Sequence, residues 1–173
     1  MATQTRCKRA QAELALSAAK GCLRHSGRDA RATLRFRMRD PILDILEKCK
    51  TLAVVGLSSK PARPSYGVAA YMKAHGYRII PVNPNEQSVF GEKAYPTLDD
   101  VPDAFEVVVI FRRSEFVPEV VEAAIRKRAT VVWMQEGVIH EEAAAGARAA
   151  GMFVVQDRCI LKEYAKRFVT DGI

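Results

Sequence analysis

A chain of 173 residues, 49% hydrophobic and 27% charged, suits one globular core plus an appendage, and no run approaches the ~20 apolar residues a membrane span needs. The formal charge of +7 resides in residues 1–37, which hold nine Lys/Arg against Glu13 and Asp29, leaving 18 charges of each sign in residues 38–173. A neutral body counts against a nucleic-acid-binding domain, because phosphate backbones are held by a basic surface.

The first segment, residues 1–37, is rich in Arg, Ala and Ser and lacks a sustained apolar stripe. It reads as a basic arm, either disordered and dispensable, or an organelle-targeting sequence, or translation begun upstream of the natural start. Met38 is followed by Asp40-Pro41 and by Ile42, Leu43, Ile45 and Leu46. That order predicts a helix with Asp at the N-cap and Pro at its first position. The domain proper is therefore placed at 38–173.

From Leu52 onward, short apolar runs alternate with helical patterns. Strands are expected at Leu52–Leu57, Arg78–Val82, Val107–Phe111, Val131–Met134 and Phe153–Gln156. Most are solid β-branched runs, as suits strands covered on both faces. Helices are expected at Ser65–His75, Ser114–Lys127 and His140–Ala150, with Gly76 and Gly151 just past two of the ends. Residues 83–102 are irregular, and a short strand pair is expected around Val89–Tyr95. The alternation predicts an α/β fold, Rossmann-like and doubly wound, with a mostly parallel five-stranded sheet and helices on both faces.

Ligands of open α/β sheets bind beyond the carboxyl ends of the strands. The segments there are Gly56–Tyr66, Asn83–Pro84, Arg112–Ser114, Gln135-Glu136-Gly137 and Asp157-Arg158-Cys159. The first joins a strand, a glycine and a helix start, a geometry in which backbone N–H groups face a phosphate. It lacks G-x-G-x-x-G, and Asn83 stands where a nicotinamide site would place an acid for the ribose hydroxyls. The loop instead offers Ser58, Ser59, Lys60 and Arg63, which suits a pyrophosphate and a further phosphate, or else keeps a proline-rich turn soluble. Arg112 and Arg113 read as phosphate contacts or as a cap in which one arginine pairs with Glu115. Glu136 reads as a buried acid or an acceptor for an amide, and Trp133 and Phe111 as core or channel-lining aromatics.

Cys7, Cys22, Cys49 and Cys159 are scattered, with neither zinc spacing nor the density of a disulfide scaffold. Free thiols in a reducing, cytoplasmic compartment are expected, with organelle import through the arm as the alternative. Cys159 is the one cysteine placed near the presumed site.

The segments taken together carry a resemblance. Ala53-Val-Val-Gly-Leu-Ser58, Arg63-Pro-Ser-Tyr-Gly-Val68, Ile80-Pro-Val-Asn-Pro84, Phe111-Arg-Arg113, Trp133-Met-Gln-Glu-Gly-Val138 and Asp157-Arg-Cys159 resemble the small CoA-binding protein family. That family is similar to the N-terminal, CoA-binding domain of the succinyl-CoA synthetase alpha subunit. The resemblance spans about Pro41 to Phe168 and implies coenzyme A or an acyl-CoA as ligand. It implies that Gly56, Leu57, Ser58 and the Ser65–Tyr66 helix start hold the pyrophosphate. Val82, Asn83 and Pro84 would border the adenosine, and Phe111, Arg112 and the Gln135–Gly137 turn the remainder. Glu136 departs from the small proteins, which commonly carry an apolar residue there. A synthetase also needs a phosphorylated histidine and a second domain, whereas His25, His75 and His140 lie in no matching motif. The expectation is a binder with no metal and no catalytic set. The alternatives are a ligase-type subunit needing a partner chain and a nicotinamide-dependent oxidoreductase. A homodimer is compatible with either outcome.

Overall fold

The computed structural model describes residues 40–169, so expectations for the arm at 1–37 lie outside the described residues. The first helix, α1 (Pro41–Lys48), begins as its sequence dictates. The Asp40 carboxylate accepts from the Ile42 N–H at 3.0 Å, and proline fills the first turn, where no N–H partner is needed. Chain order then runs β1 (Thr51–Val55), α2 (Pro64–Ala74), β2 (Arg78–Val82), β3 (Ser88–Val89), β4 (Glu92–Lys93) and β5 (Val107–Ile110). After a 3-10 turn at Ser114–Phe116 follow α3 (Val117–Arg126), β6 (Val131–Met134), α4 (Glu141–Ala149), β7 (Phe153–Val155) and α5 (Ile160–Phe168).

Five strands form one parallel sheet in the order β2-β1-β5-β6-β7, and β3 pairs antiparallel with β4 in a separate hairpin. Register is continuous across the middle, with Val54 beside Pro81 on one side and Val109 on the other. Alternate residues of each strand serve opposite layers. Ala53, Val55, Val108, Ile110, Val132 and Met134 pack under α3 and α4. Leu52, Val54, Val107, Val109, Val131 and Trp133 pack under α1, α2 and α5. Trp133 is fully buried, and its indole N–H donates to the Arg158 carbonyl at 2.6 Å.

Three differences from the sequence reading have local causes. β1 stops at Val55, two residues early, because Gly56 turns to φ +84° and leads the chain out of the sheet. Residues 114–126 divide into a 3-10 turn and an α-helix. Pro118 has no N–H with which to extend an α-helical ladder back to Ser114, so the entry is made by the tighter turn. Helix α5 was not among the expected elements. It is held by Arg167, whose guanidinium pairs with Asp40 at 2.6 Å and also with Glu163 one turn earlier, locking α5 to the start of α1. Two of the four cysteines are described: Cys49 is buried at the end of α1, and Cys159 is half-buried and free.

Candidate functional site

Strand order reverses at β1, since β2 lies on one side of it and β5 on the other. At such a point the following loops diverge to opposite faces and leave a crevice above the strand ends. Gly56 sits in that crevice. Its N–H donates to the Val82 carbonyl at 2.8 Å, and a Cβ built on it would lie 2.8 Å from the Phe111 carbonyl oxygen. Positive φ and this close approach each require glycine here.

A cleft of about 470 Å³ opens beside it, walled by Gly56, Ser58, Lys60, Arg63, Pro64 and Ser65 from the β1–α2 connection. Asn83, Asn85 and Glu86 line it from beyond β2, and Phe111 from beyond β5. Arg63 is the N-cap of α2 and gives no side-chain cap, so the positive end of the helix dipole is left for the cleft. Ser65 is buried, and its hydroxyl accepts from the Ser58 N–H at 3.3 Å, shaping the loop. Lys60 and Arg63 are exposed and hold no salt bridge among the described residues.

Asn83 ties the two walls together. Its amide donates to the Leu57 carbonyl at 2.8 Å, and its Oδ1 accepts from the Asn85 N–H at 3.0 Å. An acid could not donate to Leu57, which explains why an amide stands where a nicotinamide site would place a carboxylate. Glu86, which the sequence reading did not single out, reaches across to Ser58 and Ser59. It lies 28 residues from Ser58 in an irregular stretch, so no local pattern marked it.

A second cleft of about 280 Å³ opens on the α3 side of the same strand ends. Val82, Pro84 and Arg112 line it together with Val55 and the exposed Phe116, whose ring centroid lies 5.7 Å from the Arg112 guanidinium. The remaining candidates stand apart from both clefts. Leu57 is a core residue whose side chain packs among Val54, Ala69 and Met72. Tyr66 packs at a tilt against Phe90 of the hairpin, with ring centroids 4.7 Å apart, and Ser59 lies exposed at the rim. Arg113 is exposed, with Glu115 3.8 Å away, and makes no side-chain cap to the 3-10 turn that follows it.

Beyond β6, Gln135 is buried and its Nε2 has no partner, an orphan donor at the carboxyl edge. Glu136 is not the buried acid considered above: it is exposed and pairs with Lys162 Nζ at 2.6 Å. Gly137, at φ +82°, donates its N–H to Asp157 Oδ1 at 2.8 Å. Cys159, half-buried, stands at the N-cap of α5 without capping it.

A switch-point cleft with an uncapped helix start, and two cations that hold no salt bridge among the described residues, is the arrangement at which open α/β sheets hold nucleotides. Residues 50–165 match the model of the CoA binding domain family, and the chain belongs to that family. It is 40% identical over 124 residues to the protein YneT of Bacillus subtilis, covering 72% of this chain and 92% of that one. It is 30% identical to the ADP-forming acetate–CoA ligase II of Archaeoglobus fulgidus, covering 65% of this chain but 17% of the ligase. Among solved structures, a protein from Pyrococcus horikoshii OT3 superposes with a TM-score of 0.71 at 42% identity, covering 72% of this chain and 88% of that one. The dinucleotide-forming acetyl-coenzyme A synthetase 1 of Ca. Korarchaeum cryptofilum superposes at 0.59 with 25% identity, covering 66% of this chain and 28% of the synthetase. No described helix is long and apolar enough to cross a membrane.

Proposed function

We propose that this protein binds coenzyme A or an acyl-CoA in the cytoplasm, as a carrier or sensor without catalytic chemistry of its own. The observation that carries the reading is the cleft at Gly56, where the open start of α2 meets two cations, Lys60 and Arg63, that hold no salt bridge among the described residues. A diphosphate there would take the first-turn N–H groups and the loop donors. The adenosine would border Val82, Asn83 and Pro84. The pantetheine, which carries two amides, would run past Phe111 and Arg112 towards Gln135, whose Nε2 lacks an acceptor.

A non-catalytic role is supported by the state of the two described histidines. His75 Nδ1 lies 2.8 Å from the Tyr71 carbonyl, on the exposed end of α2. His140 Nδ1 accepts from the Ala143 N–H at 3.2 Å as a helix cap. Neither lines the cleft. A second reading, a CoA-binding subunit of a ligase, rests on the match to one segment of the far longer ligase chains. Co-purification of a partner chain with acyl-CoA-dependent nucleotide turnover would select it.

The test is thermal unfolding with CoA, acetyl-CoA and NADH added separately. Ligand at about 100 times its dissociation constant should add roughly 2.7 kcal/mol. Stabilisation by NADH and none by CoA would overturn the reading.

A further inference from the structure

Glu86 places a carboxylate on the donors that an incoming anion needs. Its Oε1 accepts from the Ser59 N–H at 2.9 Å and from the Ser58 hydroxyl at 3.2 Å. Ser58 Oγ in turn accepts from the Lys60 N–H at 3.3 Å, so the carboxylate completes a closed set of bonds around the loop. The Ser59 N–H above all, then the serine hydroxyls and the Lys60 charge, hold this carboxyl below the usual carboxylate range, so it is ionised at neutral pH. The backbone beneath it is fixed, because the Glu86 N–H donates to the Asn83 carbonyl at 3.2 Å and Asn83 is tied to Leu57. The side chain reaches the loop from across the cleft.

We propose that Glu86 is an internal competitor that occupies the phosphate cradle until the ligand's own anion displaces it. The Ser59 N–H has one proton to give, so a carboxylate and a phosphate oxygen cannot both be its partner at full strength. Two anions side by side on one loop also repel. Binding affinity is therefore set by how readily Glu86 leaves as well as by contacts to the ligand. Its departure also cuts the tie between the Ser58–Lys60 loop and the chain that follows β2. The chain that follows β2 keeps its path, because the Glu86 N–H stays on the Asn83 carbonyl, the Gln87 carbonyl on the Ala94 N–H, and the Phe90 ring packs at a tilt on Tyr66.

This inference rests on the cleft being a diphosphate site, and two probes separate the claims. The full chain and its Glu86→Gln and Glu86→Ala variants are titrated with CoA and with inorganic pyrophosphate. Glu86→Ala should bind both about tenfold more tightly, as for a cradle open in roughly one wild-type molecule in ten. Glu86→Gln, which still accepts from Ser59 but carries no charge, should fall between. Hydrogen exchange at the Ser59 amide, whose acceptor is the Glu86 carboxylate, should be faster in unliganded Glu86→Ala than in the wild type and should slow in that variant on ligand binding. Unchanged or weaker binding by both variants overturns the competitor. Tighter pyrophosphate binding by the variants, with CoA ignored by all three proteins, keeps the competitor and overturns CoA as ligand. Failure of all three to bind either probe overturns both.

Discussion

Beneath the amino ends of the strands, the buried Glu106 carboxylate accepts from the Lys50 and Thr51 N–H groups at 2.7 and 3.0 Å. Lys50 Nζ and the Tyr77 hydroxyl both donate to the Leu46 carbonyl, at 2.8 and 2.5 Å. Burial pushes the Lys50 amine below its usual value and the Tyr77 hydroxyl above its own. These groups fasten α1 and β2 to the bottom of the sheet. Glu106 Oε1 and Thr130 Oγ1 lack partners there among the described residues, yet neither lines either of the two clefts described above. At the carboxyl ends the polar groups stand in the opposite condition. Lys60 and Arg63 hold no salt bridge among the described residues, α2 starts uncapped, and the Ser58–Ser59 donors are met by a carboxylate from a different segment. The same sheet thus has one end whose polar groups serve the fold and another whose groups face outward to a ligand. The parallel arrangement causes this, because every strand delivers its following loop to the same edge.

Substitutions at the two ends should separate stability from binding. Glu106→Ala leaves two buried N–H groups without an acceptor and empties space beside them, and should cost about 3 kcal/mol in denaturant unfolding. CoA affinity should stay within about twofold, since distant sites act independently. A large loss of affinity in a still-folded Glu106→Ala protein would break the comparison. Gly56→Ala should cost about 2 kcal/mol through strain at positive φ and the contact with Phe111. It should also weaken CoA at least about tenfold, because the cleft wall must move. Intact affinity with lowered stability would show that the loop's exact path is irrelevant to binding.

Replacing Lys60 and Arg63 together by Ala should leave unfolding within about 0.5 kcal/mol, because neither holds a salt bridge among the described residues. CoA should weaken about tenfold, and its salt dependence should flatten. An unchanged salt slope would assign the two cations to solvation alone. The smallest effect concerns Asp40→Ala at the start of α1, expected to cost about 1 kcal/mol as a lost cap. Burial works against the Asp40 charge, but the Arg167 guanidinium and the Ile42 N–H outweigh it and hold the carboxyl below its usual range. Its contribution is therefore present above the ordinary carboxylate pKa and fades as pH falls through the lowered one. The stability gap between wild type and Asp40→Ala should close in acid. A gap that stayed constant would mean the charge plays no part.

Much of the sheet was legible because its strands are unbroken β-branched runs, and burial on both faces leaves no other reading for Val107–Ile110 or Val131–Met134. Gly56 and the proline-rich loop located the cleft for a similar reason, since few sequences tolerate that turn. Helix α5 escaped because Lys162, Glu163, Lys166 and Arg167 dilute its apolar stripe, and its anchor to Asp40 spans 127 positions. Leu57 was read by its neighbours, but a residue following a glycine turn can point back into the core while its carbonyl alone faces the site. Glu86 shows the limit most clearly. Its role depends on which backbone N–H it meets across the cleft, a fact of tertiary geometry with no signature in spacing.

The buried indole of Trp133 gives this architecture an optical readout. It is the sole tryptophan of the chain and lies fully enclosed in the central layer. Its emission should be blue and resistant to aqueous quenchers while the sheet is intact, and should move to the red on unfolding. A single chromophore so placed reports the integrity of β6, and its indole bond to the Arg158 carbonyl ties that report to the carboxyl edge of the sheet.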